Sequence, residues 1–350
     1  MDFVLPHLLF LLILLPIFSI AQNNGNITTG NFLTATNNSS PWLSPSGDFA
    51  FGFHPLNQTD LFLLSIWFAK VPEKTIVWFA KERLDTIPAP RGSKVELTAD
   101  HGLVLTGPQG DPLWNTSSNI IGTVANGFMS NTGNFELHDR NFNKLWESFK
   151  NPSDTLLPSQ NMDIGGVLSS RQSETHFSIG RFQLRLIPGG NLVLNTINLP
   201  TVNPINPYYT SGTSQPSNPG KQLVINQSGY IYILTDNNQT LPLRQGKPES
   251  AAEFYFRATL NFDGVFTHIL TQRIPMPMES GLQFGLCQII FVLPVLHYQI
   301  VALVVLIAYA PLDLIRGRSV DAPRDTPYSI QMTHMAAANQ TSFKAVKKTS

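Results

Sequence analysis

The stretch Asn131 to Leu137, NTGNFEL, joins a glycine-containing turn to a short run in which apolar and polar residues alternate. Glycine after a polar residue supplies the positive φ of a tight hairpin, and the alternation is typical of a half-buried strand. The same arrangement recurs as ADHGLVL (Ala99 to Leu105), PGGNLVL (Pro188 to Leu194) and QSGYIYIL (Gln227 to Leu234). Repetition of one hairpin unit predicts an all-β fold built from copies.

Short apolar segments separated by turn residues continue on both sides of this stretch, and none shows a helical period. Residues 151–163 contain two prolines and no alternation, which predicts a joint between two arrays of strands. Residues 198–220 are rich in Pro, Asn, Ser and Thr and predict a long exposed loop. The predicted strands are 49–53, 61–69, 75–80, 94–98, 103–106, 133–138 and 145–149, then 182–187, 192–195, 222–225, 230–234, 253–260 and 264–269.

Composition restricts the classes of function. The 350 residues carry a formal net charge of zero, so no nucleic-acid partner is indicated. A single cysteine, Cys287, excludes an intrachain disulfide. Tryptophan in a secreted protein can form a sugar-stacking platform, but the apolar surroundings here favour core packing. The tryptophans are Trp42, Trp67, Trp78, Trp114 and Trp146.

The N-terminus predicts secretion. Residues 5–20 are almost wholly apolar and too short for a comfortable bilayer span, and small residues precede Gln22. We interpret residues 1–21 as a signal peptide; an uncleaved anchor is the alternative. Asn-x-Ser/Thr triplets support a glycoprotein surface, and the candidates are Asn26, Asn37, Asn38, Asn57, Asn115, Asn226 and Asn238.

The last eighty residues change character. No Lys, Arg, Asp or Glu occurs between Glu279 and Asp313, and residues 288–310 are long enough to cross a bilayer as a helix. Arg316 and Arg318 follow, as cytoplasmic residues would. The pattern predicts a linker at 271–287, a transmembrane helix at 288–310 and a short disordered tail at 311–350. The alternatives are a buried core helix and a secreted protein without an anchor.

No pattern of catalytic residues is present. The chain contains no phosphate-binding glycine loop, no nucleophile elbow, no zinc-protease helix motif and no kinase motif, and Phe262 to Gly264 forms a hairpin turn. Its eight histidines lack metal-ligand spacing. A carboxylate pair flanking a glycosidic bond is the remaining enzymatic alternative. We therefore expect no enzymatic activity, cofactor or metal.

The block from Gly127 to Gln160 resembles the bulb-type (G-type, mannose-binding) lectin domain of plant lectin receptor-like kinases. It contains TGNF from Thr132, LWESF from Leu145 and PSDTLLPSQ from Pro152, which match motifs of that family. The resemblance covers about residues 22–267 and is weaker in the second half. It implies tandem β-prism II domains at 22–150 and 151–270, each with three small antiparallel sheets about a pseudo-threefold axis, followed by the apolar helix.

In this family each mannose pocket is written Q-x-D-x-N-x-V-x-Y, in which polar side chains bind sugar hydroxyls and Val packs on the ring. Alignment leaves no pocket intact, so surviving residues are equally explained as turn formers. The fourth repeat, aligned as Ile225, Gln227, Gly229, Ile231 and Ile233, retains no pocket residue. The candidate carbohydrate-binding residues are Asp100 and Val104 in the first repeat, Asn134 in the second, and Asn191 and Val193 in the third.

The resemblance implies an extracellular, non-catalytic lectin-like protein with degenerate mannose pockets, related to receptor kinases but without a kinase region. Its partners would be mannose-type glycans or cell-surface proteins. It would reach the plasma membrane as a single-pass protein. The alternative is a protein–protein module or decoy that forms a homodimer or pairs with full-length receptors. The tail after Thr267 is either a genuine anchor or a frameshifted end.

Overall fold

A computed structural model describes residues 25–56, 60–82, 85–243, 250–273, 276–277, 283–291 and 305–309. The predicted signal peptide at 1–21, the tail at 311–350 and the triplet residue Asn57 lie outside these residues. The described chain is all-β, as predicted, with only two short 3₁₀ helices, Ser117–Asn119 and Ser148–Lys150. Almost all of it belongs to one compact unit, Met1–Ala308.

Fifteen strands lie before residue 150. They are β1 Asn26–Thr28, β2 Phe32–Thr34, β3 Trp42–Leu43, β4 Phe49–Pro55, β5 Leu61–Phe68, β6 Ile76–Phe79, β7 Lys81–Glu82, β8 Asp85–Thr86, β9 Ala89–Pro90, β10 Lys94–Thr98, β11 Gly102–Thr106, β12 Pro112–Asn115, β13 Asn126–Met129, β14 Phe135–His138 and β15 Lys144–Glu147.

Fourteen further strands follow. They are β16 Thr155–Leu156, β17 Asn161–Asp163, β18 Val167–Arg171, β19 Ile179–Leu186, β20 Leu192–Asn198, β21 Asn203–Thr210, β22 Gly220–Ile225, β23 Ile231–Thr235, β24 Thr240–Pro242, β25 Phe254–Leu260, β26 Phe266–Gln272, β27 Met276–Pro277, β28 Gln283–Phe291 and β29 Val305–Tyr309.

The strands of the first half form three antiparallel sheets, which we call the first sheet trio. Their orders are β1-β13-β14-β15, β12-β11-β10-β2 and β3-β4-β5-β6, with β9 beside β5. Strands β7 and β8 form a separate ladder. Each sheet of the trio contains a hairpin that turns at a glycine with positive φ, namely Gly47, Gly102 and Gly133, and the hairpin of β11 and β12 turns at Gly110.

The second half repeats this plan as the second sheet trio. Its sheets have the orders β17-β22-β23-β24, β18-β19-β20-β21 and β16-β25-β26-β28-β27, with β29 beside β28. Their glycine hairpins turn at Gly190, Gly229 and Gly264. In the described residues, each of the six sheets of the two trios therefore contains a glycine hairpin, and four of these hairpins are the ones quoted from the sequence.

Aromatic side chains fill the centre of the first trio. The Phe51 ring stacks on Phe135 with their centroids 4.4 Å apart. The indoles of Trp78, Trp114 and Trp146 meet edge to face with centroids 6.0–6.4 Å apart. Core packing of the tryptophans is confirmed, because all except the half-buried Trp42 are at most 9% exposed.

Aliphatic side chains dominate the second core, which contains Leu184, Leu194 and Ile233. The two cores meet at consecutive residues, since Leu156 packs in the second core and Leu157 in the first. The joint predicted at 151–163 therefore carries ordered strands. The division into lectin domains at 150 and 151 stays a prediction.

Two predictions from local composition require correction. The loop predicted over 198–220 contains β21, paired with β20 through bulges. Prolines at 204 and 207 favoured the loop prediction, because proline occurs in sheets only at edge strands and bulges.

The apolar helix predicted over 288–310 is not found. Its first residues, 288–291, belong to β28, where Ile289 lies opposite Ile269 of β26, and residues 305–309 form β29. An apolar run rich in Ile, Val and Phe fits a buried strand as well as a helix. Within the described ranges, no helix has the length and apolar character needed to cross a membrane.

Candidate functional site

The two candidate residues of the first predicted pocket, Asp100 and Val104, lie apart from each other. Asp100 is exposed in the turn between β10 and β11, and Val104 lies half-buried on the outer face of β11. Val104 is opposite Glu96 on one side and Asn115 on the other. Glu96 is engaged by Lys94 at 2.7 Å. The outer face therefore presents an apolar contact and an ion pair rather than a set of free amides.

Asn134, the candidate of the second repeat, makes its side-chain hydrogen bonds within the protein. It is 3% exposed. Its Nδ2 donates to Glu136 Oε1 at 2.9 Å and to Glu147 Oε2 at 2.8 Å. Its Oδ1 accepts from Ser148 Oγ at 3.1 Å and from the Phe149 amide at 3.0 Å. Both amide hydrogens and the carbonyl oxygen are thus occupied inside the protein.

A charged network covers the outer face beside Asn134. Glu136 and Glu147 lie directly opposite each other on β14 and β15. Lys144 Nζ bonds Glu136 Oε1 at 2.8 Å, and His138 Nε2 lies 2.9 Å from Glu136 Oε2. Burial lowers the pKa of Lys144, but its hydrogen bond to Glu136 and the two carboxylate charges outweigh burial and raise it above its ordinary value. Glu136 and His138 stand where the family motif has Val and Tyr.

The candidates of the third repeat lie at the start of β20, where Asn191 bonds to the chain after β21. Asn191 Oδ1 accepts from the Thr213 amide at 2.8 Å and from Ser211 Oγ at 3.5 Å, which ties the turn before β20 to the chain after β21. Val193 is 4% exposed. The Asn191 oxygen is thus engaged within the protein, and the Val193 side chain is buried.

The alignment of the fourth repeat was displaced by one residue. Ile225, Ile231 and Ile233 are fully buried in the second core. Tyr230 and Tyr232, half-buried, alternate with them on the opposite face. The sheet that contains β23 therefore presents tyrosine side chains on its outer face, at positions to which the sequence alignment had assigned isoleucine.

The outer face of this same sheet assembles a group that the sequence did not reveal. Val224 of β22 lies between Asn161 of β17 on one side and Tyr232 of β23 on the other. In the neighbouring row, Asp163 of β17 lies opposite Gln222 of β22. Residues opposite each other in antiparallel strands have Cβ atoms about 5 Å apart on one face. We call Asn161, Asp163, Gln222, Val224 and Tyr232 the polar sheet face. It contains the five residue types of the family pocket, drawn from three strands instead of one.

Hydrogen bonds organise part of the polar sheet face and leave part of it open. Gln222 Nε2 donates to Asp163 Oδ1 at 2.6 Å, and Lys150 Nζ lies 3.1 Å from Asp163 Oδ2. The Gln222 hydrogen bond and the Lys150 contact outweigh burial and hold the pKa of Asp163 below its ordinary value. The Asn161 amide and Tyr232 hydroxyl make no side-chain hydrogen bond to any described residue. Both are therefore free for a ligand.

This group escaped sequence reasoning because its members spread from residue 161 to residue 232. Only strand register brings them together. The sequence gives one local signal: Asn161 and Asp163 are two residues apart, as are Gln222 and Val224, so each pair shares one face of its strand. This spacing does not show which strands are neighbours in the sheet.

A cleft of about 820 Å³ opens beside the polar sheet face. Asn161 and Asp163 belong to both. The lining of the cleft also includes Trp78, Trp114 and Trp146. Among the described residues, no group of three His, Cys, Asp or Glu side chains could hold a metal ion.

The candidate glycosylation residues are accessible where the structure describes them. Asn226 is half-exposed, and its Oδ1 accepts from the amides of Ser228 at 3.0 Å and Tyr230 at 2.9 Å. The other described candidates are exposed: Asn26, Asn37, Asn38, Asn115 and Asn238.

Comparison with known proteins gives concordant matches. The family described as D-mannose binding lectin matches residues 75–178. The G-type lectin S-receptor-like serine/threonine-protein kinase RLK1 of Arabidopsis thaliana is 43% identical over 297 residues, covering 81% of this chain and 35% of the relative. The kinase LECRK2 of Oryza sativa subsp. indica is 40% identical over 253 residues, covering 70% of this chain and 30% of the relative.

Among solved structures, the Scilla campanulata agglutinin, a two-domain fetuin-binding lectin, matches with 17% identity and a TM-score of 0.24. That match covers 67% of this chain and 88% of the agglutinin. The chain spans about a third of the length of the curated relatives it matches.

Proposed function

Because the chain belongs to the bulb-type (G-type) lectin proteins related to plant S-receptor-like kinases, we propose that it recognises carbohydrate outside the cell. The proposal concerns binding alone and includes no catalysis. The relatives are named as kinases, but this chain spans 35% or less of their length. Kinase activity is therefore not attributed to this chain.

The fold we propose is a pair of β-prism II domains, at 22–150 and 151–270. Two observations support it. Among the described residues, each half of the chain contains three antiparallel sheets, and each of these sheets contains a glycine hairpin. Tyr255 packs in the core of the first trio, so the two domains would share packed residues rather than being joined by a free linker.

The polar sheet face is the observation that carries the sugar-binding proposal. A sugar hydroxyl both donates and accepts, so its site needs amides, hydroxyls and carboxylates in a fixed arrangement. Asn161 and Tyr232 supply free donors and acceptors, and Asp163 supplies a carboxylate held in place by Gln222. Val224, 7% exposed, provides the apolar floor between them.

The pockets predicted from the motif are, in this proposal, degenerate. The Asn134 side chain makes its hydrogen bonds within the protein, the Asn191 Oδ1 accepts from the chain after β21, and Val193 is buried. Asp100 and Val104 provide at most an isolated carboxylate and an apolar contact. Binding of mannose-type sugars would therefore concentrate on the polar sheet face.

Titration of the full chain with mannose and mannobiose, after a glycan-array survey, tests this proposal. Gln222→Ala and Tyr232→Phe each remove one polar group, so each should weaken binding about fivefold, the equivalent of a hydrogen bond of about 1 kcal/mol. Gln109→Ala, at an exposed turn, and Tyr209→Phe, on β21, are matched controls that should bind as the parent does. Absence of binding to every neutral glycan would remove the proposal.

A second candidate function, binding of a cell-surface protein, is favoured by the charged network around Glu136. A face of ion-paired side chains in place of Val and Tyr suits a partner of complementary charge better than a sugar ring. A receptor ectodomain or a second copy of this chain would be such a partner. Retention on a relative's ectodomain that is lost in Lys144→Glu, without retention on any glycan, would support this function in place of the first.

We also propose that the chain enters the secretory pathway. The support is the apolar N-terminal segment and the exposure of five of the candidate glycosylation residues. A mass shift on endoglycosidase treatment of the protein expressed in plant cells would test it. A transmembrane anchor is not part of the proposal, because the described parts of 288–310 form strands.

A further inference from the structure

A cleft of about 820 Å³ lies beside the polar sheet face. We call it the tryptophan cleft. Its lining includes Trp78, Trp114 and Trp146, and also residues of β17 and of the turn that leads to β18. Its volume lies in the range of about 300–1,000 Å³ typical of small-molecule sites.

Lys81 supplies a cation inside this cleft. Its side chain lines the cleft and is half-buried. Its Nζ donates to the Ser153 carbonyl at 3.4 Å. No carboxylate of the described residues lies within 4.0 Å of this ammonium group. The nearby Asp154 carboxylate is bonded to Arg171 Nε at 2.9 Å.

An ammonium group in this position is electrostatically unsatisfied. Burial lowers the pKa of Lys81 to about 8, and the charge of Asp154 opposes that shift only in part. A partly buried charge is disfavoured unless a counter-charge accompanies it. An anion that entered the cleft would supply the missing partner.

The other charged residues of the cleft do not take this role. Lys150 is paired with Asp163 at 3.1 Å. Glu82 is exposed, at the margin of the cleft. Lys81 is therefore the cation of the described lining that has no carboxylate partner.

We propose that the tryptophan cleft binds a short oligosaccharide that carries a carboxylate, with Lys81 contacting the carboxylate and the indole edges contacting the sugar rings. Hydroxyls and an amide in the lining suit a polyhydroxylated chain: Ser117, Ser118 and Asn151. Asn161 and Asp163 border both sites, so a chain held on the polar sheet face extends into the cleft. The inference rests on the proposed sugar recognition and adds an acidic sugar as its ligand.

Calorimetric titration of the full chain with trigalacturonic acid and with a neutral trisaccharide tests this inference. We expect the acidic trisaccharide to bind at least tenfold more tightly than the neutral one. Lys81→Met keeps the aliphatic stem and removes the charge, so it should weaken acidic binding at least tenfold and leave neutral binding unchanged. Lys94→Met, which removes a cation from the outer face of β10, is the matched control and should change neither affinity.

The outcomes separate this inference from the proposed function. Neutral binding with no preference for the acidic sugar, or unchanged acidic binding in Lys81→Met, overturns the inference and leaves the function standing. Acidic binding that is weakened less by Gln222→Ala than by Lys81→Met supports recognition of the carboxylate inside the cleft. Equal competition by inorganic phosphate would show a site for any small anion and would also overturn the inference.

A chemical readout locates the ligand independently of affinity. Amines with a lowered pKa are acylated more readily near neutral pH, because more of the amine is unprotonated. Trigalacturonic acid should therefore protect Lys81 from an acylating reagent, as read by peptide mass spectrometry. Protection of Lys94 to the same degree, or none at Lys81, would contradict the proposed contact.

Discussion

Tyr255 of the second sheet trio donates its phenolic hydroxyl to Asp48 Oδ1 of the first trio at 2.8 Å. Arg273 and Lys70 also contact the Asp48 carboxylate, at 2.9 and 2.8 Å. The Tyr255 ring stacks on Phe68 with centroids 4.7 Å apart. Side chains from the two ends of the described chain thus meet at one carboxylate, and the first core is completed by a residue of the second half.

Tyr255→Phe should destabilise the protein by about 1.5 kcal/mol, because it removes a hydrogen bond to a charged group and keeps the ring. The urea midpoint measures the change. Tyr209→Phe is the control, since its hydroxyl makes no hydrogen bond to a described residue. Equal midpoints for the two variants would show that the Tyr255 hydroxyl contributes nothing.

Asp48 should make stability depend on pH. Burial would raise the pKa of Asp48, but hydrogen bonds from Lys70, Tyr255 and Arg273, with the charge of Arg273, outweigh burial and lower it. A carboxyl whose pKa is lowered by folding stabilises the protein above its unfolded pKa of about 3.9, and this stabilisation disappears as pH falls through the folded pKa.

The destabilisation caused by Asp48→Asn should therefore be full at about pH 5–7 and should shrink below about pH 4. Unfolding free energies of parent and variant at several pH values give the difference directly. Asp236→Asn, at an exposed position, should show almost no difference at any pH. A difference for Asp48→Asn that stays constant down to about pH 2 would contradict the assignment.

Gly133→Ala and Gly110→Ala form a matched pair. Both glycines have φ of +88°, so both alanines adopt an unfavourable backbone conformation. A Cβ at Gly133 would lie 2.6 Å from Leu157 Cδ1 and 2.7 Å from Phe49 Cε1, whereas one at Gly110 would meet nothing within 4 Å. Gly110→Ala should destabilise by about 1–2 kcal/mol, and Gly133→Ala by about 1–3 kcal/mol more. Thermal unfolding measures the stability of both variants. Equal losses of stability would mean that the protein accommodates the extra methyl group at Gly133 without added cost.

Asn134→Ala should reduce stability by about 2–4 kcal/mol, because Glu136 and Glu147 lose the amide that bridges them. Asn141→Ala, at an exposed turn, should change stability by less than about 0.5 kcal/mol. Sugar affinity of the folded Asn134→Ala variant should equal that of the parent. Loss of affinity without loss of stability would instead make Asn134 a ligand residue.

Local chemistry made much of the fold predictable. The turns at Gly133 and Gly229 require positive φ, and the alternating runs after them became β14 and β23. The pocket residues were harder to predict, because an alignment error of one residue assigns every side chain of a strand to the wrong face. That slip placed Ile231 and Ile233 on the outer face when they are fully buried.

Features that depend on distant partners could not be predicted. The polar sheet face exists only because β17 pairs with β22 and β22 with β23. Residues 288–291 are a strand because β26 lies beside them, and nothing in their own sequence specifies that neighbour. The pairing of Tyr255 with Asp48 spans 207 residues and leaves no local pattern.

The contact between Asp48 and Tyr255 also bears on the order of events during translation. The 207 residues that separate them take about 10–40 s to synthesise at about 5–20 residues per second. During that interval the nascent first trio lacks Tyr255 against Phe68, and the aromatic surface there stays exposed. The first core is therefore completed only after Tyr255 has emerged from the ribosome.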